Sequence, residues 1–380
     1  MKIVYFSVVR YPTEKAYGVT VFYTMQALGE LGHQTIVISP SNFVEFGENS
    51  GKRLVLNFLW NKINVKYSEV FFIDKIIFIL KRINAAMLSK YLIPVETEIL
   101  WARDPLIGLL SYRKVRYKSI ILEVHQPLNI FEKFAVKILQ HRSRLILAPI
   151  SVELWNLLIS SKFNFTKNRI VLSPMGVPKS FFAKTENPGV SAQSGQFNIG
   201  YVGGIKSTGV DQDIFSLITC FKNIDFHSSK IKPVLSIYGV EPENIPIIES
   251  QFAELISTRA LVLEIRQNHE VLLPKLRECD AFILPYPEGD YFKNRFPLKA
   301  LEYAALRRPI LVTETISHLN IFTKSEVWFY KPGNCKSLFE AILRIIQDSA
   351  EVKTKIDLAF KKAQNHSYSK RVTTILDRVQ

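Results

Sequence analysis

The chain opens on an apolar run, Lys2 to Val8 in KIVYFSVV, and short β-branched or aromatic runs recur after it. Between them apolar residues return at helical spacing, so the pattern alternates between a period of two and one near 3.6. The first helix is expected from about Val19 to Leu31, followed by the turn Gly32-His33 and a strand over Thr35 to Ser39. Later strands are expected at Glu98 to Trp101, Ser119 to Val124, Leu145 to Pro149 and Ile170 to Leu172, with helices between them. This alternation predicts a doubly wound parallel sheet.

The stretch KTENPGVSAQSGQ, from Lys184 to Gln196, is polar, rich in Gly, Ser and Pro, and without periodic apolar residues, which marks a linker. A second alternation follows, with strands expected at Phe197 to Val202, Val234 to Tyr238, Leu261 to Ile265, Ala281 to Leu284 and Ile310 to Val312. A length of 380 residues suits two cores better than one. The reading is therefore α/β: two Rossmann-like domains, residues 1–185 and 197–364, joined by a linker at 186–196.

Composition removes several classes. Hydrophobic residues at 47% with charged residues at 22% argue against disorder, and no stretch reaches the roughly 18 uncharged apolar residues of a membrane span. No cleavable secretory signal is read at the start, so the expected location is cytoplasmic. Cys220, Cys279 and Cys335 lie far apart with no CxxC spacing; they are expected as separate thiols, with neither a disulfide framework nor a zinc site. The net charge of +15 is one-sided: residues 1–190 hold 25 Lys and Arg against 13 Asp and Glu, residues 191–380 hold 24 against 21. Such asymmetry implies a polyanionic partner, nucleic acid or the anionic face of a membrane. The segment Phe71 to Leu92 mixes large apolar residues with Lys75, Lys81, Arg82 and Lys90. It reads as a core helix with a solvated basic face, or as a helix lying in a membrane interface.

The richest cluster is NRFPLKALEYAALRRPIL, residues 294–311, which sets Glu302 in the first turns of a helix before a strand. A carboxylate there can accept both hydroxyls of a ribose. With Pro297, Lys299, Glu302 and Tyr303 the segment resembles the PLKxLEYxA stretch of family-4 retaining glycosyltransferases, whose second Glu of an E-x7-E pair holds the nucleotide ribose. The resemblance implies that role for Glu302. Asn294 stands where the first Glu of the pair would be; it can bond a sugar hydroxyl but brings no charge. A second cluster, IGYVGGIKSTGVDQDIF, resembles the loop that receives the donor diphosphate, with Gly203 and Gly204 ending a strand and Lys206 beyond them. Gly204 and Thr208 occupy the approximate places of that loop's Arg and Lys, leaving Lys206 and Lys299 as the cations for a leaving phosphate, Lys206 being the first choice.

RYPTEKAYGVTVFYTMQALGELGH is similar to the family's opening, with Gly18 at a helix N-terminus approaching donor phosphate or sugar and Glu14 and Lys15 in the preceding loop. LWARDPLIGLL and IILEVHQPLNIFEK resemble segments carrying an arginine after one strand and a histidine after the next. His125 is then a hydrogen-bond partner of the donor sugar at a strand's carboxyl end. SPMGVP precedes the linker, and NHSYSKRVTTILDRV resembles a closing helix, residues 365–380, that crosses back to the first domain.

Taken together the resemblance implies a GT-B fold, two domains facing a cleft, with the acceptor on the first and the nucleotide on the second. It implies a metal-independent, retaining transfer of sugar from a UDP- or GDP-linked donor, with no cofactor. The acceptor is expected to be a glycan or lipid-linked, in bacterial surface polysaccharide, lipopolysaccharide or glycolipid synthesis at the inner face of an anionic membrane. No nucleic-acid motif accompanies the charge, so nucleic acid is not an expected partner. Asp211-Gln212-Asp213 is expected to cap a helix, not to bind metal. A sugar-nucleotide epimerase of the same architecture and a non-catalytic nucleotide-binding subunit are the alternatives.

Overall fold

The computed structural model describes residues 1–7, 16–39, 54–57, 82–84, 86–116, 119–182, 195–207, 209–223, 231–267, 269–293 and 295–379. They fall into two compact units, Met1–Gly176 with Tyr368–Gln380, and Val177–Ser367.

The first unit is a sheet of β1 (Lys2–Phe6), β2 (Gln34–Ser39), β3 (Leu54–Asn57), β4 (Ile99–Ala102), β5 (Ser119–Val124) and β6 (Arg144–Pro149). Its order is β3-β2-β1-β4-β5-β6, and all neighbours run parallel. Alternate residues enter two cores. Val4 and Phe6 of β1 face one cluster with Leu100, Ile120, Val136 and Leu139, while Ile3 and Tyr5 face another with Met25, Trp101, Val372 and Ile375. Strands buried on both faces need apolar residues throughout, which is why the runs were readable. The helices that matter below are α1 (Ala16–Glu30), α2 (Pro105–Ser111) and α3 (Ile130–Arg142).

Ile170 to Leu172, expected as a strand, makes only an isolated bridge between Ile170 and Leu147. Val171 and Ser173 donate backbone N–H bonds to the carbonyls of Leu147 and Pro149, both at 2.8 Å, but Pro149 has no N–H to return, so the ladder stops there.

The second unit repeats the winding with β7 (Gln196–Val202), β10 (Lys232–Val240), β11 (Leu261–Ile265), β12 (Ala281–Leu284), β13 (Ile310–Thr313) and β14 (Trp328–Tyr330). Their order is β11-β10-β7-β12-β13-β14, again all parallel. Each sheet thus reverses its strand order beside its first strand, the place where open α/β sheets bind ligands. Between β7 and helix α4 (Ile214–Asn223), β8 (Lys206–Ser207) and β9 (Val210–Asp211) form a two-stranded antiparallel ribbon where a plain loop was expected. Helices α5 (Leu298–Ala305), α6 (Cys335–Gln347) and α7 (Ser349–Asn365) follow.

Cys220 and Cys335, expected as separate thiols, form a disulfide across a sequence separation of 115. It joins α4 to the first residue of α6, two helices that pack together; nothing in the spacing announces a pair made by tertiary contact. Cys279 is a buried free thiol whose pKa is pushed up to about 12 by burial. After α7 the chain returns to the first unit as α8 (Tyr368–Leu376), which buries Tyr368, Val372, Ile375 and Leu376 against α1. Gly176 lies against the start of α8 so closely that a Cβ would stand 2.7 Å from the backbone of Tyr368.

Candidate functional site

In the second unit, β7 delivers Gly203 and Gly204 to the carboxyl edge of the sheet, and α5 starts at the same edge. The helix is fixed there by Tyr303, whose hydroxyl accepts the Val202 N–H at 2.9 Å and whose ring stacks on Phe282 at 4.3 Å. Tyr303 thereby sets Lys299 and Glu302, three residues apart and so on one helix face, beside the glycine turn.

Gly203 has φ +149, and a Cβ there would overlap Lys299 Nζ, so the glycine both makes the turn and leaves room for the ammonium. Lys299 Nζ lies 5.2 Å from the Tyr201 ring centroid. Neither Lys299 nor Glu302 has a side-chain hydrogen bond or ion pair among the described residues. Burial lowers the Lys299 pKa to about 8, with Glu302 pulling the other way and Arg266 adding to the fall. Burial likewise raises Glu302 to about 7, partly offset by Lys299. A half-buried ammonium and a half-buried carboxylate, each without a bonded partner, are costly unless a ligand completes them.

The glycine loop is less open than its sequence implies. The Gly203 N–H is given to the Tyr238 carbonyl at 2.7 Å, and the Ile205 N–H to Glu241 Oε2 at 3.0 Å, with Asn244 bonding the same oxygen at 3.1 Å. The Glu241 carboxylate fills the space that a Cβ on Gly204 would need. Two amides of the supposed phosphate cradle are therefore committed, and an acid sits on it. Lys206, the first choice for the phosphate cation, is exposed on β8 opposite Asp211, whereas Lys299 stands at the turn itself. Asn294, Thr208, Glu14 and Lys15 lie outside the described residues.

Tyr286, just past β12, was not singled out by the sequence. Burial pushes its pKa up to about 12, with Arg295 opposing and Glu302 adding, so it shares the neighbourhood of that carboxylate. Its ring stacks on His318 at 4.8 Å. The aromatic in LPYPEGD was the only available signal. Glu241 and Tyr201 gave none, because each acquires its place through strand neighbours.

In the first unit, His125 follows β5, and its Nε2 is 3.0 Å from Glu123 Oε2. Glu123 is fully buried; burial would raise its pKa, but Arg371 of α8 at 2.7 Å and Arg103 at 2.8 Å hold the carboxyl well below the ordinary range. Tyr5 adds a hydroxyl at 3.2 Å. Burial and then Arg103 lower His125 to about 4 against the pull of Glu123, so the ring is neutral at pH 7. An ionised carboxylate only accepts, so Nε2 carries the proton and Nδ1 the free lone pair. His125, a quarter exposed, can thus accept a hydrogen bond from a substrate hydroxyl. Gly18 is buried in the first turn of α1. Among the described residues no group of three or more His, Cys, Asp or Glu could hold a metal ion, and no helix is long and apolar enough to cross a membrane.

Residues 196–348 match the family model described as glycosyl transferases group 1. No curated protein matches the sequence. Solved structures do match in fold over nearly the whole of both chains. A glycosyltransferase from Rickettsia africae superposes with TM-score 0.68 at 14% identity, covering 100% of this chain and 97% of its own. Anabaena HepE, in complex with UDP, superposes with TM-score 0.64 at 11% identity, covering 99% and 98%. WaaG, a glycosyltransferase involved in lipopolysaccharide biosynthesis, gives 0.62 at 11%, covering 98% of each. Residues 196–348 are thus similar to the glycosyl transferases group 1, and the two parallel sheets have the GT-B fold of the glycosyltransferases they superpose on.

Proposed function

We propose that the chain is a retaining, metal-independent glycosyltransferase that moves a hexosyl group from a UDP- or GDP-linked donor to a glycan or lipid-linked acceptor. The observation that carries this is the pair Lys299 and Glu302 at the Gly203 turn, both without bonded partners among the described residues. A nucleoside diphosphate supplies what each lacks: ribose hydroxyls to donate to Glu302, and phosphate oxygens to accept from Lys299. As the glycosidic bond to the phosphate breaks, charge grows on the diphosphate, and a cation fixed in place stabilises it without reorganising. His125 accepts from a sugar hydroxyl, with the acceptor expected on the first unit. The complexes of HepE with UDP and with UDP and glucose support a nucleotide-sugar donor. The lipopolysaccharide enzymes among the matching folds support a surface-glycan product, made in this proposal at the cytoplasmic face of a membrane.

Calorimetric titration of UDP and GDP into the wild type and Glu302→Ala tests the donor site. One nucleotide should bind saturably and lose affinity in the variant; binding of neither by the wild type would refute the proposal. The acid at the glycine loop favours one alternative, a subunit that binds nucleotide without turning it over. Release of UDP or GDP from a matched sugar nucleotide with acceptor present excludes that alternative.

A further inference from the structure

Helix α3 carries a surface that neither the donor site nor the core explains. Ile130, Phe131, Phe134 and Ile138 are 53%, 78%, 56% and 46% exposed, while Ala135, Val136 and Leu139 on the opposite face are buried. Ile130, Phe134 and Ile138 follow one another at four-residue steps, so they form one ridge, with Phe131 beside its start. Phe134 packs only an edge on Phe163, centroids 5.1 Å apart. Exposed apolar residues also stand on the helical segment before β4, where Met87 is 48% and Tyr91 78% exposed. They share a core with α3 through Ala86, and Arg82 at the start of that segment bonds Glu132 at 2.5 Å.

Among the described residues, the exposed charges of α3 have one sign. Glu132 is the only acid of α3; it is buried, ion-paired with Arg82 and closes the capping box with Asn129. Lys133 and Lys137 lie half-exposed along the ridge, His141 and Arg142 are exposed at its end, and Lys90 is exposed beside Tyr91. An apolar ridge edged by lysines is the pattern of a helix lying in a membrane interface, its rings among the acyl chains and its ammoniums at the headgroups. A second copy fits less well, since two-fold pairing of this face would set Lys133 and Lys137 against their own counterparts.

We propose that this face of the first unit, α3 foremost, docks on an anionic lipid surface. The inference deepens the membrane-peripheral reading above and rests on it only for the lipid-linked acceptor. Docking holds the first unit at the plane where such an acceptor resides, and α3 begins directly after the loop that follows His125.

The test is flotation with vesicles of phosphatidylcholine alone or with about 30% phosphatidylglycerol, without donor or acceptor. The wild type should float with the anionic vesicles only, and high salt should release it. Phe131→Ser with Ile138→Ser should weaken partitioning at least tenfold, since each removes a large apolar side chain from the interface. Lys133→Gln with Lys137→Gln should weaken it about 25-fold at low salt, at about fivefold per basic residue. UDP affinity measured on the same variants should be unchanged, which separates failure of docking from failure of the donor reading. If the serine variant loses its fold, the glutamine variant, changed only at half-exposed positions, still decides. Partitioning equal to wild type in either folded variant, or a wild type indifferent to anionic vesicles, overturns the proposal. So does a wild-type dimer that the serine substitutions dissolve, because the face would then belong to a second copy.

Discussion

Donor affinity should depend on pH through the two residues that have no hydrogen-bonded or ion-pair partner among the described residues. Only the form with Lys299 protonated and Glu302 ionised offers a cation to phosphate and an acceptor to ribose. With pKa values of about 7 for Glu302 and about 8 for Lys299, that form dominates in a narrow window between them. Affinity scales with its population, so binding should be about 20-fold weaker at pH 5.5 and about sixfold weaker at pH 9 than at its maximum. Lys299→Met should erase the alkaline limb and cost about 3 kcal/mol, near 100-fold, as truncation of one partner in a desolvated charge contact does. Glu302→Gln should erase the acid limb and cost about 2 kcal/mol, the worth of hydrogen bonds to a charged acceptor. The assay is calorimetry with a sugar nucleotide, because the terminal phosphate of a free nucleoside diphosphate itself titrates near pH 6. A flat profile in the wild type refutes the argument, and so does a limb that survives in the variant meant to remove it.

The same two substitutions should stabilise the protein. Lys299 falls from 10.5 to about 8 and Glu302 rises from 4.5 to about 7, so between pH 7 and 8 each charge costs about 3 kcal/mol of folding free energy even with the attraction of the other included. Thermal melting at pH 7.5 should show the second unit's transition rising by several degrees in each variant; a fall would make the pair structural instead. In the first unit Glu123→Gln should do the opposite, destabilising by about 3–5 kcal/mol by leaving Arg103 and Arg371 on a neutral amide. Because the Glu123 pKa is depressed, its contribution is present above the ordinary carboxylate pKa and lost as pH falls; acid titration of folding should therefore flatten in the variant. Reduction of Cys220–Cys335 should destabilise the second unit by up to about 4–5 kcal/mol, read as a fall in its melting temperature, with no effect in Cys220→Ser; an equal effect in both would exclude the bond as cause.

What could be read from the sequence was what lies close in sequence. β5, β11 and β12 fall at their expected residues because each is an apolar run between turn signals. β14 escaped, since three residues, Trp328–Tyr330, are too few to show alternation, and the β8–β9 ribbon is shorter still. Glu302 and Lys299 were visible because one helical segment carries both. The tie between Glu123 and Arg371 was not, being 248 residues long. Nor could the sequence show that Glu241, 36 residues beyond Ile205, occupies the amide that a phosphate was expected to use.

The two clusters differ in a way that separates holding from binding. Glu123 has two arginines, a tyrosine and a histidine within hydrogen-bond reach, so its charge is answered inside the fold, and its effect is to fix the proton on His125 Nε2. The bare Nδ1 is what His125 then offers a ligand. Lys299 and Glu302 are set with comparable care, through Tyr303 on Val202 and Gly203 at φ +149, yet their charges stay unanswered and their pKa values move toward neutrality. A fold that only needed a stable helix at that edge would gain by replacing both with apolar residues. Retaining them is intelligible if their partner arrives from solution bearing both hydroxyls and negative charge, which is the chemistry of a nucleoside diphosphate.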